Sequence, residues 1–242
     1  MEDGVGDFGT CRTVGDYSEE SVAHSRSRNP WLWALGGVLV ASALWAVAVF
    51  RWELGVPEPD TRGYRLTAGT CRSVQLTALT AEIGPKDSSG VVVSGMSRHP
   101  AADHLQCFIH LRPDANGEHA DTGWFIDYTV GIDVALHKQS DPGVEFEAGR
   151  RVTDLGIVPE SGAQRLPDLG DQAYLITRDS STRELRVLDG GVVLSLSLSA
   201  MVSYQGVDDS GSMAEAPEVP DLSAYRTAMI DDLRDLKSRL KK

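Results

Sequence analysis

GWFIDYTVGIDVALH, residues 123–137, alternates without a break. Trp124, Ile126, Tyr128, Val130, Ile132, Val134 and Leu136 hold the even positions; Phe125, Asp127, Thr129, Gly131, Asp133, Ala135 and His137 hold the odd ones. Successive side chains of a strand point to opposite faces, so this period predicts a long strand with one buried and one wetter face. Nearby segments follow suit. Within residues 104–112, Leu105, Cys107, Ile109 and Leu111 face one way, and His104, Gln106, Phe108 and His110 the other. Residues 172–178 read as another strand. Residues 183–188, the turn Asp189-Gly190-Gly191 and residues 192–203 read as a hairpin. Its second arm turns Val192, Leu194, Leu196, Leu198 and Ala200 inward and Ser195, Ser197 and Ser199 outward.

A sheet with one apolar face needs a cover, and helical periodicity supplies it. Asp221 caps a last helix whose Leu222, Tyr225, Met229, Leu233, Leu236 and Leu240 form a single stripe. Residues 73–84 read as a short helix closing at Gly84, with Val74, Leu79 and Ile83 on one face. Residues 91–93 read as a short strand, and 86–90 and 205–220 as loops. The expected fold class is α+β, an antiparallel β-sheet packed against helices, preceded by one transmembrane helix.

That transmembrane helix is read from WLWALGGVLVASALWAVAVF, residues 31–50, which has no charged side chain. At about 1.5 Å per residue the run spans the roughly 30 Å of a bilayer's hydrocarbon. Trp31, Trp33, Trp45 and Trp52 lie in or beside it, mostly near its ends, where interfacial aromatics belong. Ala46-Val47-Ala48 has the form that signal peptidase reads, so cleavage stays open. The long acidic segment before the run favours a retained anchor. Arg26 and Arg28 before the span and Arg51 after it favour an inside N-terminus by proximity. Cys71 and Cys107 form an even pair in the large part, and Cys11 stands alone in the tail. A pair outside and a lone thiol inside fit the same orientation; the alternative is two unpaired buried thiols. The expected organisation is a disordered cytoplasmic tail (1–30), the transmembrane helix (31–50), a stalk (51–63) and an extracytoplasmic domain (64–242) at the cell membrane.

Net charge is −12, and residues 51–242 carry −9 of it. An acidic domain without a basic patch argues against nucleic acid as a partner. The tail contains Gly4-Val5-Gly6-Asp7-Phe8-Gly9, which lacks the flanking strand and helix that nucleotide binding requires. Thr10, Thr13, Tyr17, Ser18, Ser21 and Ser25 are candidate phosphate acceptors, which would make the protein a transmembrane signalling relay.

Catalytic patterns are missing. His104 and His110 share a strand face about 20 Å apart at ~3.3 Å per residue, too far to share a metal ion. His99 and His119 fall in loops, and no cofactor motif occurs. Asp127 and Asp133 are likewise about 20 Å apart, beyond the separation of a glycosidase pair. Neither G-x-S-x-G nor a Cys–His signature is present, which leaves an exterior hydrolase with a dispersed site as the enzymatic alternative. The expected working surface is the wetter sheet face with Phe108, Phe125, Asp127, Thr129 and His137, since exposed aromatics there mark binding. Its partner would be an envelope protein, a wall component or a small apolar ligand, unless a helix covers that face.

Several motifs recur in a fixed order: Cys71 opening a Leu-rich helix, Gln106-Cys107-Phe108 in the next long strand, and PDLGDQAY at 167–174. The VLDGGVVLSLS hairpin at 187–197 and a closing amphipathic helix follow. This order resembles uncharacterised actinobacterial envelope domains, mostly lipoproteins. The resemblance implies a disulfide between Cys71 and Cys107 and a PsbP-like sheet-and-helix fold, and carries over no catalytic residue. A membrane helix stands here in place of a lipidated cysteine, and no Trp follows Cys107 closely.

Overall fold

The computed structural model describes residues 30–53, 58–87, 93–113, 123–153, 156–204 and 215–241. The chain divides into two units, Met1–Glu53 and Leu54–Lys242. In the first, helix α1 (Pro30–Glu53) runs beyond both ends of the expected span. Its window Trp33–Arg51 has a mean hydropathy of 2.0 and is long and apolar enough to cross a membrane. The tail with its candidate phosphate acceptors lies outside the described residues.

The second unit is α+β. It begins with two short helices, α2 (Thr70–Ser73) and α3 (Thr77–Glu82), and three strands, β1 (Val93–Arg98), β2 (Ala102–Leu111) and β3 (Trp124–His137). Helix α4 (Gly143–Ala148) and a small ribbon, β4 (Val152–Thr153) with β5 (Gly156–Ile157), follow. Then come β6 (Ala163–Arg165), β7 (Gln172–Asp179), β8 (Thr182–Asp189), β9 (Val192–Tyr204) and α5 (Arg226–Leu240). Seven strands form one antiparallel sheet in the order β1-β2-β3-β9-β8-β7-β6. The long strand β3 lies between β2 and β9, the other strands with the most regular alternation.

The even residues of β3 face the main core. Tyr128, Val130, Ile132, Val134 and Leu136 are buried there beside Leu105, Cys107, Ile109 and Leu111 of β2 and Leu194, Leu196 and Leu198 of β9. Helix α5 lays its stripe on this face, with Met229, Leu233, Leu236 and Leu240 buried. A 3-10 turn, Leu222–Tyr225, leads into it, and Asp221 accepts the Ser223 N–H as expected of a cap. Cys71 and Cys107 are joined by a disulfide, Cα–Cα 5.6 Å, which ties α2 to β2 within the core.

The single helix expected over 73–84 is shortened to α3, because residues 74–76 break it from α2, which reaches only Ser73. The break ends at Leu76, in the left-handed region at φ 52°, with its side chain buried. What the break leaves exposed is satisfied from outside the segment. The Asp232 carboxylate of α5 accepts N–H bonds from Ala78 (2.9 Å) and Leu79 (2.8 Å), capping α3 from across the core. Of the strand expected at 91–93, residues 91 and 92 lie outside the described residues; from Val93 the chain continues in β1 to Arg98 as an edge strand. With Gly95, Ser97 and Arg98 it shows no apolar alternation to read, and its place comes from pairing with β2.

Residues 58–63, expected as the outer half of a stalk, lie on the domain instead. Asp60 O accepts the Gly191 N–H at 2.8 Å, and Arg62 bonds both Asp171 (2.8 Å) and Asp189. Asp189 is buried and also takes bonds from Tyr64 Oη (2.5 Å), Lys237 (3.1 Å) and Lys241 (3.2 Å). The domain's first and last segments meet where the Arg65 N–H donates to Leu240 O at 2.8 Å.

Candidate functional site

The second face of the sheet carries the outward residues in rows that cross four strands. One row runs Phe108, Gly131, Ser197, Glu184; the next runs Gln106, Asp133, Ser195, Arg186; a third runs His104, Ala135, Val193, Leu188. Neighbouring strands are about 4.8 Å apart, so the second row sets an amide, a carboxylate, a hydroxyl and a guanidinium group side by side. Ser197 Oγ lies 3.4 Å from Gly131 O. A Cβ on Gly131 would come within 2.4 Å of that oxygen, so glycine here keeps the floor open beside Phe108.

One end of this face is covered. Helix α4 stands over β8 and β7 on Phe146, which packs with Tyr174, Ile176, Leu188 and Val158 in a second, smaller core. In β7, Ala173 and Leu175 face the main core while Tyr174 and Ile176 face this one, so four consecutive residues are buried. Tyr174 Oη donates to Glu147 at 2.6 Å and Arg186 Nη1 donates to Gly149 O at 3.1 Å, fixing the helix and its exit to the sheet. A helix therefore covers part of the wetter face, the alternative that the sequence left open, because residues 142–153 return across it.

Between roof and floor lies a cleft of ≈ 520 Å³. Phe108 and His137 line it, with Gln106, Asp133, Arg186 and Ser195 between them and Phe146 and Val152 on the wall. Phe108 is 36% exposed. Burial pushes the His137 imidazole below its ordinary 6.5 and His104 adds to that, against the pull of the Glu145 and Asp141 carboxylates. Both effects favour the neutral imidazole.

Phe125, Asp127 and Thr129 share the face but lie beyond the cleft. Asp127 accepts from Ser203 Oγ at 2.6 Å and sits 3.9 Å from Arg112, while Thr129 Oγ1 is 3.1 Å from His110 Nδ1. Phe125 is half-buried opposite Ser203. Two of the five expected face residues thus meet in the cleft and three do not. Glu184, Arg186 and Phe146 escaped sequence reading. The first two alternate in β8 between inward Leu185 and Val187, which was a usable signal. Phe146 belongs to a single helical turn with no periodicity to find.

No protein-family model matches the chain, nor does any curated protein or solved structure. Among the described residues no group of three or more His, Cys, Asp or Glu side chains is placed to hold a metal ion. Chemically, the cleft sets hydrogen-bonding and charged groups beside the rings of Phe108 and Phe146. That suits a ligand bearing hydroxyl or amide groups on an apolar frame.

Proposed function

We propose that this is a single-pass membrane protein whose sheet domain lies outside the cytoplasm and binds a ligand or partner in the cleft. The observation that carries the reading is the Cys71–Cys107 disulfide in the same chain as a membrane-length apolar helix. Disulfides persist in oxidising compartments, and a helix presenting Trp31, Trp33 and Trp45 more than 70% exposed calls for lipid. The motif order, read above as resembling actinobacterial envelope domains, points to the same placement. Within the cleft, Ser197 Oγ is directed at Gly131 O of β3.

Topology is tested with a membrane-impermeant thiol reagent on intact cells. Cys71 and Cys107 are expected to react only after reduction and unfolding, and Cys11 only after lysis. Labelling of Cys11 in intact cells would reverse the orientation. Binding is tested with a photocrosslinking residue placed at Phe108 or at Phe125, on the same face but outside the cleft. Capture from position 108 alone supports the cleft, and capture from 125 alone removes it.

A further inference from the structure

On the helical side of the sheet, away from the cleft, a second cavity of ≈ 320 Å³ opens between residues 65–67, α2 and the last turns of α5. Its lining carries Arg65, Arg239, Thr67, Thr70 and Ser73 over an apolar floor that includes Leu236. No carboxylate lines it among the described residues, in a chain whose net charge is −12.

Its polar groups are donors with capacity left over. Arg65 makes no ion pair or side-chain hydrogen bond among the described residues; only its backbone N–H is used, on Leu240 O. Arg239 gives Nε to Asp235 (2.5 Å) and one Nη to Gln75 (2.8 Å), which leaves the other Nη unbonded among the described residues. The hydroxyls of Thr67 and Thr70 lie 3.0 Å apart, and Thr70 Oγ1 also accepts the Thr67 N–H at 3.1 Å. One proton bridges the two oxygens. Whichever residue supplies it, the other keeps an O–H with no acceptor among the described residues, beside a Thr70 side chain that is itself buried.

We propose that this cavity binds the phosphate of a phosphate ester. Two guanidinium groups and a hydroxyl line one cavity, a set of donors that suits a tetrahedral oxyanion better than a flat carboxylate. The cavity exceeds the volume of one phosphate, and its apolar floor accommodates the carbon of the ester. The site is independent of the cleft and of what the cleft binds.

The test is the ³¹P line width of inorganic phosphate, and of glycerol phosphate, titrated with the full chain in maltoside micelles at constant ionic strength. Saturable broadening is expected for both. Arg65→Gln should weaken it about tenfold or more, and Thr67→Val should weaken it with no change in far-UV circular dichroism. Arg72→Gln, an exposed arginine of α2 outside the cavity, should leave it intact. Absence of broadening, indifference to Arg65→Gln, or equal loss with Arg72→Gln would overturn the proposal. Phosphatidylglycerol added to the micelles then separates the sources. Displacement of inorganic phosphate assigns the site to a lipid headgroup, and retention assigns it to a soluble ester; both outcomes uphold a phosphate site.

Discussion

Asp171 and Asp189 stand on either side of the Gly190 turn and hold it from two directions. Asp171 Oδ2 accepts the Gly190 N–H at 2.8 Å, and Gly190 sits at φ 64°, where a Cβ would come within 2.2 Å of Asp60 O. The LGDQAY segment thereby gains a physical reading. Gly170 is small because a Cβ would lie 2.5 Å from Leu188 O; Asp171 closes the neighbouring turn; Ala173 fills the main core; Tyr174 reaches Glu147. Burial pushes the Asp189 carboxyl up, but bonds from Tyr64, Lys237 and Arg62 outweigh it and hold the group well below the usual carboxylate range. A carboxyl depressed by folding contributes stability that is complete above its ordinary value of 3.8 and is lost as pH falls toward the folded value. Asp189→Asn should therefore cost about 3 kcal/mol near neutrality, since it leaves three cations without their shared partner. Urea unfolding of the full chain in micelles should show that loss shrinking below about pH 4.

Elements with a period of their own were legible in the chain, and those built by their surroundings were not. β2, β3 and β9 alternate over ten or more residues, so their faces follow from the residues alone. α5 shows its stripe for the same reason. The break at Leu76 could not be read, because Asp232, which caps α3, is 154 positions from Ala78. β6 is three residues long and exists only because β7 offers an edge. The cleft was half legible: its floor follows from strand parity, while its roof rests on Phe146 reaching β7 and β8. Two outcomes are expected at this scale. Asp232→Ala should remove both caps and cost about 2–3 kcal/mol, with hydrogen exchange accelerating first at Ala78 and Leu79. Phe146→Ala should cost about 3 kcal/mol or more by emptying the small core. It should also raise the exchange of α4 amides and leave those of α5 unchanged.

For the molecule as a whole, the disulfide closes a loop that contains α3, β1 and most of β2. In the chain-entropy model a crosslink of this separation, 36 residues, contributes about 3–4 kcal/mol. Cys107→Ser should lower stability by that amount in non-reducing buffer and abolish the further loss on adding dithiothreitol. A variant whose melting temperature still fell in dithiothreitol would place the redox sensitivity elsewhere. Because Arg65 N meets Leu240 O, the domain's two ends are neighbours, and the order in which the strands are synthesised is separable from the sheet they form. A short linker from the end of α5 to residue 64, with a new opening inside 205–214, should yield a circular permutant of the same fold. A reporter fused beyond α5 would likewise ride beside residue 65, where the chain enters the sheet domain, and not at the domain's far end.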